Sequence, residues 1–121
     1  MKRKERSAKF AIYFFSFFER RLTMSKLESK FQKELMDEIR AQFPGCVILK
    51  NDSSYIQGFP DWTILYKDKW AVLEAKRQKN ARHQPNQDYY VAQLSSMSYS
   101  SFVYPENKEE VLRELHKAFE S

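Results

Sequence analysis

Two runs rich in β-branched and aromatic residues, Trp62-Thr63-Ile64-Leu65-Tyr66 and Trp70-Ala71-Val72-Leu73, lie only three residues apart. That spacing predicts an antiparallel hairpin. With Lys67-Asp68 as the loop, Tyr66 faces Lys69 and Leu65 faces Trp70. Carried outward, the same register sets Asp61 opposite Glu74. Directly opposed residues share a face, with Cβ atoms roughly 5 Å apart. Lys76, two residues beyond Glu74, returns to that face, whereas Leu73 and Ala75 turn away from it. Lys67-Asp68 lacks the glycine that a tight turn prefers. A four-residue loop on the same centre would keep the register, and a three-residue loop would change it.

The predicted pairing has a chemical consequence. Two carboxylates opposed on neighbouring strands repel. A divalent cation would offset that repulsion, because Mg²⁺ takes hard oxygen ligands and keeps several waters. A lone Glu-x-Lys is unremarkable in a chain with this many charged residues. Gly58-Phe59-Pro60-Asp61 standing at hairpin spacing from Glu74-Ala75-Lys76 is far more specific.

Upstream, Leu27, Phe31, Leu35, Ile39 and Phe43 recur every four residues and predict a helix with one apolar stripe. At about 100° per residue, Glu28 falls inside the stripe. A carboxylate facing the core is expensive unless it is paired or bound to a metal. Glu28 is therefore a candidate third acidic residue. The competing explanation is a capping box, Ser25-x-x-Glu28.

Pro44-Gly45 ends this helix, and Cys46-Val47-Ile48-Leu49-Lys50 reads as a first strand. A polar loop then leads to the hairpin. Pro85 suits the first turn of a second helix running through Gln87, Tyr90, Val91, Leu94 and Met97. Ser101 to Tyr104 reads as a last strand. Asn107 with Glu110 is expected to cap a final helix whose apolar face is Leu112, Leu115 and Phe119. The order is α-β-β-β-α-β-α, an α/β arrangement with a mixed sheet flanked by helices.

At 121 residues, 42% of them hydrophobic, the chain suits one domain with a real core. Its single cysteine, Cys46, excludes an internal disulfide and a cysteine-based zinc site, and suggests a reducing cytoplasm. Cys46 reads as a buried small hydrophobe. The formal charge of +5 resides wholly in residues 1–23, and the fourteen basic and fourteen acidic groups that follow cancel. Overall basicity thus says nothing about nucleic acid, but local clustering does. Lys76, Arg77, Lys79, Arg82 and His83 follow one another with no acidic residue between Glu74 and Asp88, a stretch able to hold phosphates. His83 and His116 have no local partner suited to a metal or a triad.

Residues 1–23 read as an extension outside the domain at 24–121. The apolar stretch Phe10 to Phe18 is far shorter than a membrane span needs, so no stable membrane insertion is expected. Glu19-Arg20-Arg21 and the lack of a small-residue cleavage site argue against a signal peptide. A translation start at Met24 is the favoured reading, and a peripheral amphipathic anchor is its rival.

The set Glu28, Pro60-Asp61 and Glu74-x-Lys76 resembles the PD-(D/E)XK nuclease superfamily, most closely the VRR-NUC domain, the virus-type replication-repair nuclease. Ser54 upstream of Gly58-x-Pro60-Asp61, and Gln87 opening the next helix, match further parts of that pattern. The resemblance covers about residues 25–120. The family usually has a glycine before the last strand, where this chain is serine-rich. The resemblance implies a restriction-endonuclease-like core and Mg²⁺-dependent cleavage of DNA, with Mn²⁺ able to substitute. Asp61, Glu74 and the Ala75 backbone carbonyl would ligate the metal, and Glu28 would hold a second one directly or through water. Lys76 would orient or activate water and donate to the phosphate, and Gln87 would place the substrate or the lysine. Ser54, Arg77, Lys79 and Arg82 would contact nucleic acid. A structure-selective endonuclease of repair or recombination intermediates is the expectation, working in the host cytoplasm if the chain is viral, and a symmetric dimer could cut both strands of a junction. The rival expectation is a nuclease-fold module that grips nucleic acid or protein without cutting.

Overall fold

The computed structural model describes residues 26–121. The expectations for residues 1–23, the Met24 start and the Ser25 cap lie outside the described residues. Helix α1 covers 26–42. It is followed by β1 (Val47–Lys50), β2 (Trp62–Tyr66), β3 (Lys69–Ala75), α2 (Gln87–Met97), β4 (Tyr99–Val103) and α3 (Lys108–Glu120). The sheet runs β1-β2-β3-β4. β1–β2 and β2–β3 are antiparallel and β3–β4 is parallel. The fold is thus α/β with a mixed four-stranded sheet, in the predicted order. No helix among the described residues is long and apolar enough to cross a membrane.

The hairpin has the predicted register, from Tyr66 opposite Lys69 to Trp62 opposite Leu73. A two-residue loop closes it without glycine because Lys67 itself adopts φ 57°, the left-handed region that a twisted hairpin turn demands. Ile64, Ala71, Leu73 and Ala75 then face one side of the sheet, where α1 and α3 cover them. Phe43 and Phe119 meet edge to face at 5.1 Å, and Lys108 of α3 pairs with Glu38 of α1 at 3.0 Å, so the two helices close as one layer. Each fully buried Leu, Ile or Phe contributes on the order of 1.5–3 kcal/mol.

The α1 stripe is shifted from its predicted position. Leu27 is 56% exposed, whereas Met36, outside the predicted stripe, is buried with Phe31, Leu35, Ile39 and Phe43. Residues four apart drift by about 40° on a helix. The buried arc centres near Leu35 and Ile39, which leaves Leu27 beyond one margin and brings Met36 in at the other. Glu28 falls near the middle of this arc and is half-buried.

Helix α2 lies on the opposite face of the sheet, against β3 and β4. It begins at Gln87, with Pro85 in the preceding turn and Asn86 at φ 71°. Its apolar residues are only partly covered, and Met97 is exposed, contrary to the predicted stripe. The serine-rich turn needs no glycine. Ser98 has φ −148°, its amide donates to the Leu94 carbonyl at 3.0 Å, and its hydroxyl donates to the Trp70 carbonyl at 2.5 Å. Asn107 makes no side-chain cap on α3. Its Oδ1 accepts from the Tyr104 amide and its Nδ2 donates to the Phe102 carbonyl, tying the turn back to β4. Cys46 is half-buried against the core, and burial raises its thiol pKa.

Truncating the centre of the α1 arc should cost far more than truncating its predicted first member. Leu35→Ala is expected to lose about 2–5 kcal/mol, and Leu27→Ala to stay within about 0.5 kcal/mol of the parent. Denaturant unfolding of both variants checks the position of the stripe.

Candidate active site

The site grows out of the hairpin register. One step beyond Trp62–Leu73, Asp61 lies opposite Glu74, and the Asp61 amide donates to Glu74 Oε2 at 2.9 Å. The β1–β2 register extends in the same way. Lys50 opposes Trp62, and the Asn51 amide donates to the Asp61 carbonyl at 2.6 Å. The Asn51 side chain continues the lock. Its Nδ2 donates to the Pro60 carbonyl at 2.8 Å, and its Oδ1 accepts from the Thr63 hydroxyl at 3.0 Å. Asn51 therefore positions Asp61. In sequence Asn51 is one polar residue of the loop before the hairpin, and its role becomes visible only once β1 is registered on β2.

Glu74 is 3% exposed, and each of its oxygens meets donors. Oε2 accepts from Asp61. Oε1 accepts from Gln87 Nε2 at 2.8 Å and lies 3.6 Å from Lys76 Nζ. Burial, and next the nearby Asp61 charge, push the Glu74 pKa up from 4.5 to about 7, against the opposing pull of Lys76. Lys76 is itself buried and also donates to the Arg82 carbonyl at 3.3 Å.

Gln87 is buried, not an exposed helix polar residue. Both ends of its amide are occupied, with Oε1 accepting from the Gln84 amide at 2.8 Å and Nε2 donating to Glu74. It therefore orients the carboxylate, whereas the expectation was substrate or lysine. The preceding loop is pinned at His83, which stacks on Phe102 at 4.1 Å between centroids and lies 2.7 Å from Asp88 Oδ1. His116 bonds Glu120 and Gln42 on the far helices and takes no part in the site.

Gly58 explains why this loop can approach. Its φ is 85°, and a Cβ there would meet the Pro85 carbonyl oxygen at 2.4 Å and Asn86 Cβ at 2.7 Å. The glycine of Gly58-Phe59-Pro60-Asp61 thus lets the loop carrying Asp61 abut the turn that launches Gln87.

These side chains open onto one cleft of about 460 Å³, which Glu28, Asp61, Glu74, Lys76 and Gln87 all line. Arg77 and Arg82 line it as well. Two predicted nucleic-acid contacts do not. Ser54 turns away because its amide and hydroxyl both donate to Asp52 Oδ1, and Ser53 lines the cleft in its place. Lys79 sits exposed on the turn outside the lining. Ala75 ends β3 with its side chain fully buried in the core behind Glu74 and Lys76.

The donor set is compatible with Mg²⁺. Two opposed carboxylates, one of them buried and strained by the other's charge, suit a hard divalent cation that needs only one or two protein carboxylates. Among the described residues, no group of three or more His, Cys, Asp or Glu side chains is placed to hold a metal ion together, so Glu28 does not join Asp61 and Glu74 as a third ligand in this geometry. No family model, no curated protein and no solved structure matches the chain.

Two measurements check this geometry. Gly58→Ala should destabilise more than Gly45→Ala. Both glycines have positive φ, but a Cβ at Gly45 meets nothing within 4 Å, so Gly45→Ala carries backbone strain alone, about 1–2 kcal/mol. Chemical denaturation of the matched pair isolates the steric clash at Pro85. The second measurement concerns pH in EDTA. Below pH 4.5, folded and unfolded chains both hold the Glu74 proton. Between 4.5 and about 7 the unfolded chain releases it while the folded chain keeps it, so stability falls as pH rises, and the loss is complete above about 7. The drop in Tm between pH 5 and pH 8 is expected to be larger for the parent protein than for Glu74→Gln, and to shrink when Mg²⁺ is added.

Proposed function

We propose that the protein is a Mg²⁺-dependent endonuclease that hydrolyses phosphodiester bonds in DNA, selecting its substrate by structure more than by sequence. The observation that carries this reading is the meeting of Asp61, Glu74 and Lys76 at the wall of one cleft, with the Asp61 amide on Glu74 and the Lys76 ammonium 3.6 Å from the same carboxylate. The element order and the mixed sheet suit the restriction-endonuclease-like core that the PD-(D/E)XK resemblance implies. So does the carriage of Glu28 by α1 into the same cleft.

In this reading, Asp61, Glu74 and the Ala75 carbonyl would hold the metal, and Glu28 would hold a second one directly or through water. When bound, the ion offsets charge on the phosphate and acidifies water. The chain's own groups prepare the rest. Glu74 is held by the Asp61 amide on one oxygen and by Gln87 on the other, so its geometry is set before substrate arrives. Lys76 is an ammonium with three N–H donors. One donates to the Arg82 carbonyl at 3.3 Å, and the ammonium pairs with Glu74 at 3.6 Å, so donor capacity remains for a phosphate oxygen or the attacking water. Arg77 and Arg82 supply positive charge at the cleft for flanking phosphates. A domain of this size has little surface with which to read a base sequence, which favours recognition of DNA shape.

The rival reading is a module of the same fold that binds nucleic acid without cutting it. Incubation with labelled junctions, flaps, nicked and plain duplexes in Mg²⁺, Mn²⁺ and EDTA separates the two. Cleavage is expected in both metals and none in EDTA. Asp61→Ala, Glu74→Ala and Lys76→Ala should each lower the rate by at least about a hundredfold while the proteins remain folded by circular dichroism. Undiminished cutting by Asp61→Ala would refute the mechanism.

A further inference from the structure

A second cleft, of about 310 Å³, lies between one edge of α1 and the ends of β1 and β2. Its walls carry Lys33 and Arg40 from α1, Lys50 from β1 and Trp62 from β2. Lys33 and Arg40 are seven residues apart, two turns along the same side of the helix, about 10 Å. Lys50 pairs across the strands with Trp62 and holds its ammonium 4.6 Å from the indole centroid. Among the described residues this lining includes no carboxylate. Among the described residues, neither Lys33 nor Lys50 makes an ion pair, and the one acidic contact of Arg40 is an exposed one with Asp37 at 3.5 Å. The acidic residues Glu34 and Glu38 of α1 are directed elsewhere, toward Lys30 and Lys108.

The position of this groove matters as much as its charge. Ser29 lines it, and the neighbouring Glu28 lines the active-site cleft; Trp62 lines it, and the neighbouring Asp61 lines the active-site cleft. The two clefts thus share a wall built from consecutive residues of α1 and of the β2 entry. We propose that the Lys33–Arg40–Lys50–Trp62 groove binds backbone phosphates of the nucleic acid on one side of the scissile bond. This rests on the nuclease reading and extends it by adding a track for the substrate strand.

The chemistry favours backbone over bases. Lys50 occupies the face of Trp62 that a base would need for stacking, and compact ammonium groups suit phosphates. The indole Nε1–H is covered and lacks an acceptor among the described residues, so the groove wall also contains an unsatisfied donor.

The test is the salt dependence of DNA binding, measured by fluorescence anisotropy in EDTA with full-length protein and labelled single strands and duplexes. Each phosphate contact contributes about 0.7 (single strand) to 0.9 (duplex) to the slope of log K against log salt. Lys33→Ala/Lys50→Ala should flatten the slope by about twice that amount, and Arg40→Ala by about one contact. The Tm should stay unchanged, and half-maximal cleavage should require more DNA than it does for the parent. A control double variant, Arg113→Ala/Lys117→Ala, removes the same charge from exposed positions outside the groove and should leave the slope as in the parent. An unaltered slope in the groove variants, or an equal flattening in the control, overturns the groove while leaving the nuclease standing. A parent protein that neither binds nor cuts any of these nucleic acids overturns both.

Discussion

A buried carboxylate sets the terms for everything around it. Glu74 is withdrawn from water by the sheet and by the turn leading into α2, and it has another acid as its cross-strand neighbour. Left alone, such a charge would be costly. The fold answers with a backbone amide on one oxygen, a side-chain amide on the other and an ammonium close by. Even so, the pKa stays raised to about 7, so the compensation is incomplete. Functional sites are where such incomplete compensation tends to be found.

The supporting structure is spread over segments distant in sequence. Asn51 ties the entry of β2 to the exit of β1, which fixes Asp61. Gly58 allows the same loop to press against Pro85 and Asn86, just before α2 starts. The start of α2 in turn delivers Gln87 to Glu74. His83, clamped between Phe102 and Asp88, holds the strap whose Arg82 carbonyl receives Lys76. Two loops, 51–61 and 76–86, therefore converge with the start of α2 on Glu74 and Lys76.

Much of this arrangement could be read from residue order because it follows from local periodicity. The hairpin register came from two apolar runs and the length of the gap, and it carried Asp61, Glu74 and Lys76 to one face. The placement of Glu28 came from helical geometry in the same way. Where the structure departs from residue order, the causes differ. Periodicity puts Leu27 in the α1 stripe and Met97 in the α2 stripe, but it does not say how far a covering sheet extends. The resemblance points to Ser54, but the turn built on Asp52, a hydrogen-bonding choice that composition does not reveal, leaves Ser53 lining the cleft. Asn107 was read as a cap because its spacing to Glu110 is right, yet its side chain found better partners in the preceding turn.

Strand alternation and helix pitch are properties of the backbone, so residue order alone was enough to bring two acids and a lysine onto one face. Their burial, the coupling that raises Glu74, the capture of its second oxygen by Gln87 and the adjoining basic groove all involve segments tens of residues apart. Those features came from packing, because desolvation and long-range contacts exist only once separate elements have closed over the same volume.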